Sequence, residues 1–152
     1  MYFRHKYRFF SVGHTTNPPA GSTYARAVSR ESVRIAFTIA ALNDLENFAA
    51  DIQNAYLNAT FSEKIVFTFG PEFGSDQKGK TKVVVRDLYG LRSSGSAFCN
   101  HLACCMEALN YFPCRAYPGV WMLKARKSDV NEYYEYMILY VDDCLEISEA
   151  PK

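Results

Sequence analysis

Two adjacent carboxylates, Asp142 and Asp143, lie near the C-terminal end of the chain between two apolar stretches. Residues 133–141 are rich in aromatic and branched types, and residues 144–148 alternate apolar with polar, which predicts a strand, a tight acidic turn and a second strand. Like charges this close repel each other unless a cation or water compensates, and a rigid pair of this kind suits a divalent metal. The pair could equally be a turn that faces solvent, because Asp is an ordinary turn residue.

A third carboxylate, Asp51, stands at the end of the short apolar stretch Phe48–Ile52. We interpret this stretch as a central strand that delivers Asp51 at its C-terminal edge. If the strand neighbours the acidic hairpin, three carboxylates converge at one edge of a sheet. Such a cluster can bind two Mg²⁺ ions, or Mn²⁺, about 4 Å apart, which orient a triphosphate and activate an attacking hydroxyl.

The composition favours a folded domain that does not cross a membrane. The chain has 152 residues, of which 49% are hydrophobic, so one domain of ordinary size can bury a core. No apolar run of membrane-spanning length and no signal-peptide pattern is present. The five cysteines are odd in number and include no Cys-x-x-Cys pair, which argues against a zinc finger or a disulfide framework. We therefore expect an intracellular protein, in the cytoplasm or the nucleus.

The charges are unevenly distributed along the chain. Residues 1–30 contain five basic side chains and no acid, whereas residues 129–149 contain seven acids and no base. This separation suits a polyanion held on one side of a domain and metal ions on the other. Ordinary surface charge would give the same pattern by chance, and the sequence leaves both interpretations open.

Periodicity and capping signals predict two main helices. Ser29 is a good N-cap for a helix over 30–43, whose broad apolar arc predicts that it is mostly buried. A second helix is expected over 96–111, with core positions at Phe98, Leu102, Cys105 and Leu109 and with Pro113 closing it. A turn or short helix is expected over 53–58, and further strands over 64–69, 81–88 and 120–124. This order predicts an α+β fold, a mostly antiparallel sheet with two helices on one face.

Four segments together resemble a known family. Tyr140-Val141-Asp142-Asp143 resembles the metal-binding hairpin of reverse transcriptases, and residues 51–58, Asp-Ile-Gln-Asn-Ala-Tyr-Leu-Asn, resemble the first-aspartate motif of copia-type retrotransposon polymerases. Residues 88–95, Leu-Tyr-Gly-Leu-Arg-Ser-Ser-Gly, resemble the motif that follows it, and residues 4–12 resemble the basic fingers strand. Each motif alone is weak evidence for the family, but the order and spacing of the motifs over nearly the whole chain are specific to it.

The resemblance to copia-type reverse transcriptases implies a fold and a reaction. It implies a polymerase palm at about 29–150, which is a ferredoxin-like antiparallel sheet with two helices on one face, and part of the fingers at about 1–28. It implies that Asp51, Asp142 and Asp143 are the catalytic carboxylates and the ligands of two Mg²⁺ or Mn²⁺ ions. The reaction is then RNA-directed DNA synthesis, in which a primer 3′-hydroxyl attacks the α-phosphate of a deoxynucleoside triphosphate.

The resemblance also implies a nucleotide site. Tyr56 would lie under the nucleotide sugar, where its ring favours deoxynucleotides, although it could instead be a packed aromatic. Arg8 and Lys6 match fingers positions that reach the triphosphate, a task that suits the arginine fork, although both could be generic basic surface. Ser93 stands where the family more often has glutamine, in a Ser-Ser-Gly segment near the expected path of base and template. Some members of the family carry this segment, so it does not imply inactivity.

The ends of the chain lead to a further expectation. The sequence starts close to the fingers strand and stops soon after the hairpin, so we expect no thumb, ribonuclease H, integrase or protease. The expected partners are an RNA or DNA template with primer, a deoxynucleoside triphosphate and these missing polyprotein domains. We expect a truncated copy with weak or no activity alone. The alternatives are a non-catalytic remnant that is at most a nucleic-acid-binding or folded fragment, and an unrelated small metal-binding α+β module.

Overall fold

The computed structural model describes residues 28–60, 63–117 and 119–150, together with Thr23. The described helices are α1 (Arg30–Leu42), α2 (Ala55–Asn58) and α3 (Ser94–Ala108). The described strands are β1 (Glu46–Asp51), β2 (Val66–Thr68), β3 (Thr81–Val83), β4 (Phe112–Pro113), β5 (Val120–Arg126), β6 (Glu132–Tyr140) and β7 (Asp143–Ser148). The described residues fall into two compact units, the first formed by Thr23 and residues 56–98 and the second by residues 28–55 and from 99 onward.

The second unit is built on a five-stranded sheet in the order β1-β7-β6-β5-β4, with every pairing antiparallel. The prediction of a mixed α+β fold with an antiparallel sheet is confirmed, and so is the hairpin of β6 and β7. The prediction that the Asp51 strand is central is wrong for the described sheet, because β1 pairs only with β7 and lies at its edge. Its residues are all exposed, including the large apolar Phe48.

The two faces of this sheet carry separate apolar clusters. On one face, Val120 and Ile138 pack with Ala36 and Ala40 of α1. On the other face, Trp121 and Leu139 pack with Met106 of α3. The prediction that both helices lie on one face is therefore wrong. Successive strand residues point to opposite faces of a sheet, and both β5 and β6 have large apolar residues at adjacent positions. Both faces must therefore be buried against other elements.

Helix α1 begins as predicted but is buried on one side only. The Ser29 side chain accepts a hydrogen bond from the Ser32 backbone N–H at 3.1 Å, which caps the first turn. Ser32, Ala36 and Ala40 form the buried stripe, four residues apart. Phe37 is 44% exposed and Leu42 is 79% exposed, so the expectation of a mostly buried helix is wrong.

Helix α3 starts two residues before the predicted position and ends at Ala108. Phe98 and Met106 are buried, but Cys105 and Leu109 are exposed, so the predicted core stripe is correct only in its first half. Pro113 does not close this helix, because it lies in β4 opposite Trp121 of β5. No helix within the described ranges is long and apolar enough to span a membrane.

The first unit contains the antiparallel hairpin of β2 and β3. β3 ends at Val83, well before the predicted limit of residue 88. Beyond it, Val84 and Leu91 are buried in a small cluster that includes Leu88. This cluster supports the segment that leads from β3 to the start of α3.

Candidate active site

Three predicted site carboxylates lie at one end of the paired strands β1 and β7. Asp51, the last residue of β1, is the register partner of Asp143, the first residue of β7. The Ile52 backbone N–H donates a hydrogen bond to the Asp142 carbonyl oxygen at 2.8 Å. Residues about ninety positions apart in the chain therefore meet at the same sheet edge, as the sequence analysis required.

The turn that presents Asp142 and Asp143 is tight. Tyr140 pairs with Asp143, which leaves only Val141 and Asp142 between β6 and β7. Val141 has a φ of 57°, which is rare for a branched residue because its Cβ crowds the backbone. Such a conformation costs about 1–3 kcal/mol and persists only where the surrounding structure imposes it. The two flanking strands, which pair in register with each other, impose it here.

The arrangement of the carboxylates matches a divalent cation in ligand type. Asp51 and Asp143 are directly opposite each other, and like charges in this position destabilise a sheet unless a cation offsets them. Carboxylate oxygens are the ligands that Mg²⁺ takes in proteins. Among the described residues, however, no group of three or more His, Cys, Asp or Glu side chains is arranged to hold a metal ion. The residue types thus suit a divalent cation, but the side chains of the described residues do not form a metal-binding group.

A groove of about 430 Å³ borders these carboxylates on the α1 face of the sheet. Asp51 and Asp143 supply its acidic lining, and the remainder is largely apolar: Val28, Val33, Phe37, Ala49, Ala50, Ile138, Tyr140, Cys144 and Leu145. The groove therefore combines an acidic end with an apolar floor.

The pKa of the Cys144 thiol responds to the negative charges in this region. Burial raises its pKa above the ordinary value, and the Asp143, Glu146 and Asp51 carboxylates raise it further. The thiol also donates a hydrogen bond to the Ala50 carbonyl oxygen at 3.3 Å. The carboxylates thus place a negative potential on the β1–β7 edge.

Tyr56 belongs to the first unit and is held by two other rings. Its ring centroid lies 4.6 Å from that of Tyr89 and 5.8 Å from that of Phe98, in edge-to-face geometry in both cases. The ring is half-buried, so the interpretation of a packed aromatic describes its surroundings. Its contact with a nucleotide sugar stays a prediction.

Ser93 occupies the N-cap position of α3, where its carbonyl oxygen accepts a hydrogen bond from the Ala97 N–H at 2.9 Å. The next residue, Ser94, is buried, and its hydroxyl oxygen lies 2.9 Å from Asp87 Oδ1 and 2.8 Å from the Leu88 carbonyl oxygen. A nucleotide contact by Ser93 stays a prediction. Lys6 and Arg8 lie outside the described residues, and so does the rest of the expected basic strand.

Asp87 is a residue that the sequence analysis missed. It is fully buried, and its Oδ1 accepts the Ser94 hydrogen bond, whereas its Oδ2 has no hydrogen-bond partner among the described residues. Burial raises its pKa, the Ser94 hydrogen bond lowers it, and the nearby Glu63 charge raises it. The signal in the sequence was an acid two residues after the apolar run of valines that ends at Val85.

Comparison with known proteins identifies the family. The family model described as "Reverse transcriptase (RNA-dependent DNA polymerase)" matches residues 2–151. This chain belongs to that reverse transcriptase family. The prediction of a retrotransposon reverse transcriptase fragment is confirmed.

A curated relative adds the context of a transposon. The reverse transcriptase chain is 24% identical over 151 residues to the "Retrovirus-related Pol polyprotein from transposon RE1" of Arabidopsis thaliana. The match covers 97% of this chain and 10% of the relative, so the chain spans about a tenth of that polyprotein. No solved structure matches the chain.

The segments that resemble motifs of the family occupy defined positions in the structure. The first-aspartate motif begins at the end of β1 and continues into α2. The Leu88–Gly95 motif leads into α3, and the Tyr-x-Asp-Asp motif forms the turn between β6 and β7. Each of these segments includes the start or the end of a helix or strand.

Proposed function

We propose that this chain is the palm, at about residues 29–150, and part of the fingers, at about 1–28, of an RNA-directed DNA polymerase. The observation that carries the proposal is the pairing of Asp51 with Asp143 at the strand ends, beside the Asp142 turn. Family membership over residues 2–151 supports the same reaction class. The substrates are a deoxynucleoside triphosphate and a primer annealed to an RNA or DNA template.

Asp51, Asp142 and Asp143 would hold two Mg²⁺ or Mn²⁺ ions in this function. The ions, when bound, supply charge neutralisation for the triphosphate and for the attacking 3′-hydroxyl. The protein contributes precise placement, because the antiparallel ladder fixes Asp51 against Asp143, and a backbone hydrogen bond ties Asp142 to Ile52. Placement of this quality is the main demand that phosphoryl transfer makes on a protein.

Nucleotide selection is assigned to residues of the first unit and the N-terminal segment. Tyr56 is braced by Tyr89 and Phe98, so its ring would present a fixed surface under the sugar and exclude a 2′-hydroxyl. Ser93, at the start of α3, would face the base or template. Lys6 and Arg8 would neutralise the triphosphate.

The proposal includes partners beyond this chain. A polymerase grips its duplex largely through the phosphate backbone, a task for a thumb domain. We infer that a thumb, ribonuclease H and integrase from the same polyprotein act with this segment, since the Arabidopsis relative is a Pol polyprotein.

A primer-extension assay tests the proposed function. We expect the chain, at high concentration with Mn²⁺ or Mg²⁺, to add a deoxynucleotide to a primer on a homopolymer RNA template. Asp142→Asn should abolish incorporation, because it removes the charge at the turn, while Asp76→Asn, at an exposed site in the first unit, should retain it. Equal incorporation by Asp142→Asn and the unaltered chain, or none by the unaltered chain with either ion, would contradict the proposal.

A further inference from the structure

Two buried polar side chains, Asp87 and Ser94, join the two ends of the Leu88–Gly95 segment, and no part of the proposed polymerase chemistry uses them. Asp87 is 0% exposed and Ser94 is 2% exposed. The Ser94 hydroxyl oxygen lies 2.9 Å from Asp87 Oδ1 and 2.8 Å from the Leu88 carbonyl oxygen. We call Asp87 and Ser94 the buried pair. Because buried polar groups are costly to leave without a partner, each member of the pair holds the other in place.

The buried pair is tied to the end of α2 by hydrogen bonds to its backbone. The Asp87 N–H donates to the Ala59 carbonyl oxygen at 3.4 Å, and the Ala59 N–H donates to the Tyr56 carbonyl oxygen at 3.1 Å. The guanidinium of Arg86 donates to the Asn58 carbonyl oxygen at 3.2 Å. The chain segment that carries Asp87 is therefore fixed against the short helix that carries Tyr56.

The two rings that contact Tyr56 each follow one member of the buried pair. Tyr89 is two residues after Asp87, and its ring centroid lies 4.6 Å from that of Tyr56. Phe98 is four residues after Ser94, about one turn along α3, and its ring centroid lies 5.8 Å from that of Tyr56. The hydrogen bond between Asp87 and Ser94 therefore sets the positions of both rings relative to each other.

We propose that Asp87 and Ser94 are positioning residues for the selection of the nucleotide sugar. They hold Tyr89 and Phe98 in the places where the rings of these residues brace Tyr56, and neither member of the buried pair contacts the nucleotide. A braced ring excludes a 2′-hydroxyl because it cannot move aside, so its selectivity depends on the residues that support it. This inference rests on the proposed function, in which Tyr56 lies under the sugar.

Fluorine NMR of the full chain tests whether the buried pair fixes Tyr56, and it requires no enzymatic activity. Tyrosine is replaced throughout by meta-fluorotyrosine, and Tyr56→Phe identifies the Tyr56 signal. The edge-to-face contacts place this ring beside two others, so we expect its chemical shift to differ from that of the unfolded chain. Ser94→Ala and Asp87→Leu remove the hydrogen bond from either side, and both should move the signal toward the unfolded value while far-UV circular dichroism is unchanged.

Two further variants are the controls. Asp87→Asn retains a side-chain oxygen that can accept the Ser94 hydrogen bond, so it should keep the Tyr56 signal of the unaltered chain. Thr81→Val removes a hydroxyl group from the same unit, at an exposed contact of 3.5 Å with Thr68, and should also keep the signal.

Primer extension with the same variants tests the role in sugar selection. On a poly(rA) template, the ratio of kcat/KM for dTTP to kcat/KM for UTP measures how strongly the chain prefers a deoxynucleotide. We expect Ser94→Ala and Asp87→Leu to lower this ratio by about tenfold, whereas Asp87→Asn and Thr81→Val should keep it. A purely structural defect would reduce both kcat/KM values in parallel and leave the ratio unchanged.

The two measurements separate this inference from the proposed function. A Tyr56 signal that stays in place in both Ser94→Ala and Asp87→Leu overturns the inference, whether or not the chain incorporates nucleotides. A signal that moves while the dTTP to UTP ratio is unchanged overturns the role in sugar selection. If the unaltered chain incorporates neither nucleotide, the proposed function fails and the sugar-selecting role fails with it, whatever the NMR signal shows.

Discussion

Asp87 is a fully buried carboxyl group, and one of its oxygens lacks a hydrogen-bond partner within the part of the chain that the structure describes. A buried polar atom left unpaired costs about 1–3 kcal/mol, and the cost is greater for a charged group. The Ser94 hydroxyl bonds to its other oxygen and so links the end of the β3 segment to the first turn of α3. The protonation state of Asp87 therefore affects the segment that leads into the Leu88–Gly95 motif.

The raised pKa of Asp87 predicts a dependence of stability on pH. Burial, its largest cause, makes the folded chain hold the proton more tightly than the unfolded chain. The stabilising contribution is therefore fully present below the unfolded-state pKa, near 3.8, and is lost as the pH rises through the higher folded-state pKa. Asp87→Asn should remove this part of the pH dependence, as measured by urea unfolding between about pH 4 and pH 8.

The control for this measurement is an exposed acid of the same unit. Asp76→Asn changes charge by the same amount at an exposed position and should keep the pH profile of the unaltered chain. If the Asp87→Asn profile runs parallel to that of the unaltered chain over the whole range, the buried carboxyl is not linked to folding in the way proposed.

At the scale of elements, local signals predicted where helices and strands begin but not what they bury. The Ser29 cap and the β6–β7 hairpin depend on residues close in sequence, and both predictions were correct. The exposure of Phe37 and Leu42 depends on what lies opposite α1, which its own periodicity does not contain. The continuous apolar run at Met137–Leu139 was the overlooked sign that both faces of β6 are covered.

The hairpin turn gives a prediction about backbone strain. Val141 has a positive φ, a conformation that costs an L-residue with a Cβ about 1–2 kcal/mol and costs glycine little. Elsewhere in strands and helices, alanine is usually more stabilising than glycine by about 0.5–1 kcal/mol. We expect the reverse order here, with Val141→Gly more stable than Val141→Ala in chemical denaturation.

Comparison of these two variants isolates the conformation from the packing. Both remove the branched side chain that lines a small cavity beside Trp121 and Leu139, so the loss of apolar contact is nearly the same. If Val141→Ala is the more stable of the two, the left-handed conformation at the turn carries no strain, and the tight presentation of Asp142 needs another cause.

At the scale of the whole molecule, the order of motifs along the chain was more informative than any single motif. The meeting of Asp51 and Asp143 could be predicted because the resemblance to copia-type polymerases implies that they share ions, and β1 does pair with β7. The placement of β1 at the edge of the described sheet could not be predicted, because strand order depends on pairings between distant segments. The burial of Asp87 could not be predicted, because it depends on how the chain segments before and after this residue pack.

The same pairing predicts how a divalent cation acts on the stability of the whole chain. Asp51 and Asp143 are like charges in direct register, so in the absence of a cation Asp51→Asn should raise stability by up to about 1 kcal/mol. A cation that binds the folded state alone stabilises it by about 2.7 kcal/mol at a concentration one hundred times its Kd. Thermal unfolding with increasing MgCl₂, at constant ionic strength, should therefore show a rising Tm for the unaltered chain and a much smaller rise for Asp51→Asn.

Asp76→Asn, which leaves the sheet edge intact, should respond as the unaltered chain does. A Tm that rises equally in Asp51→Asn would mean that Mg²⁺ binds elsewhere, and it would remove the carboxylate pair from the proposed metal site.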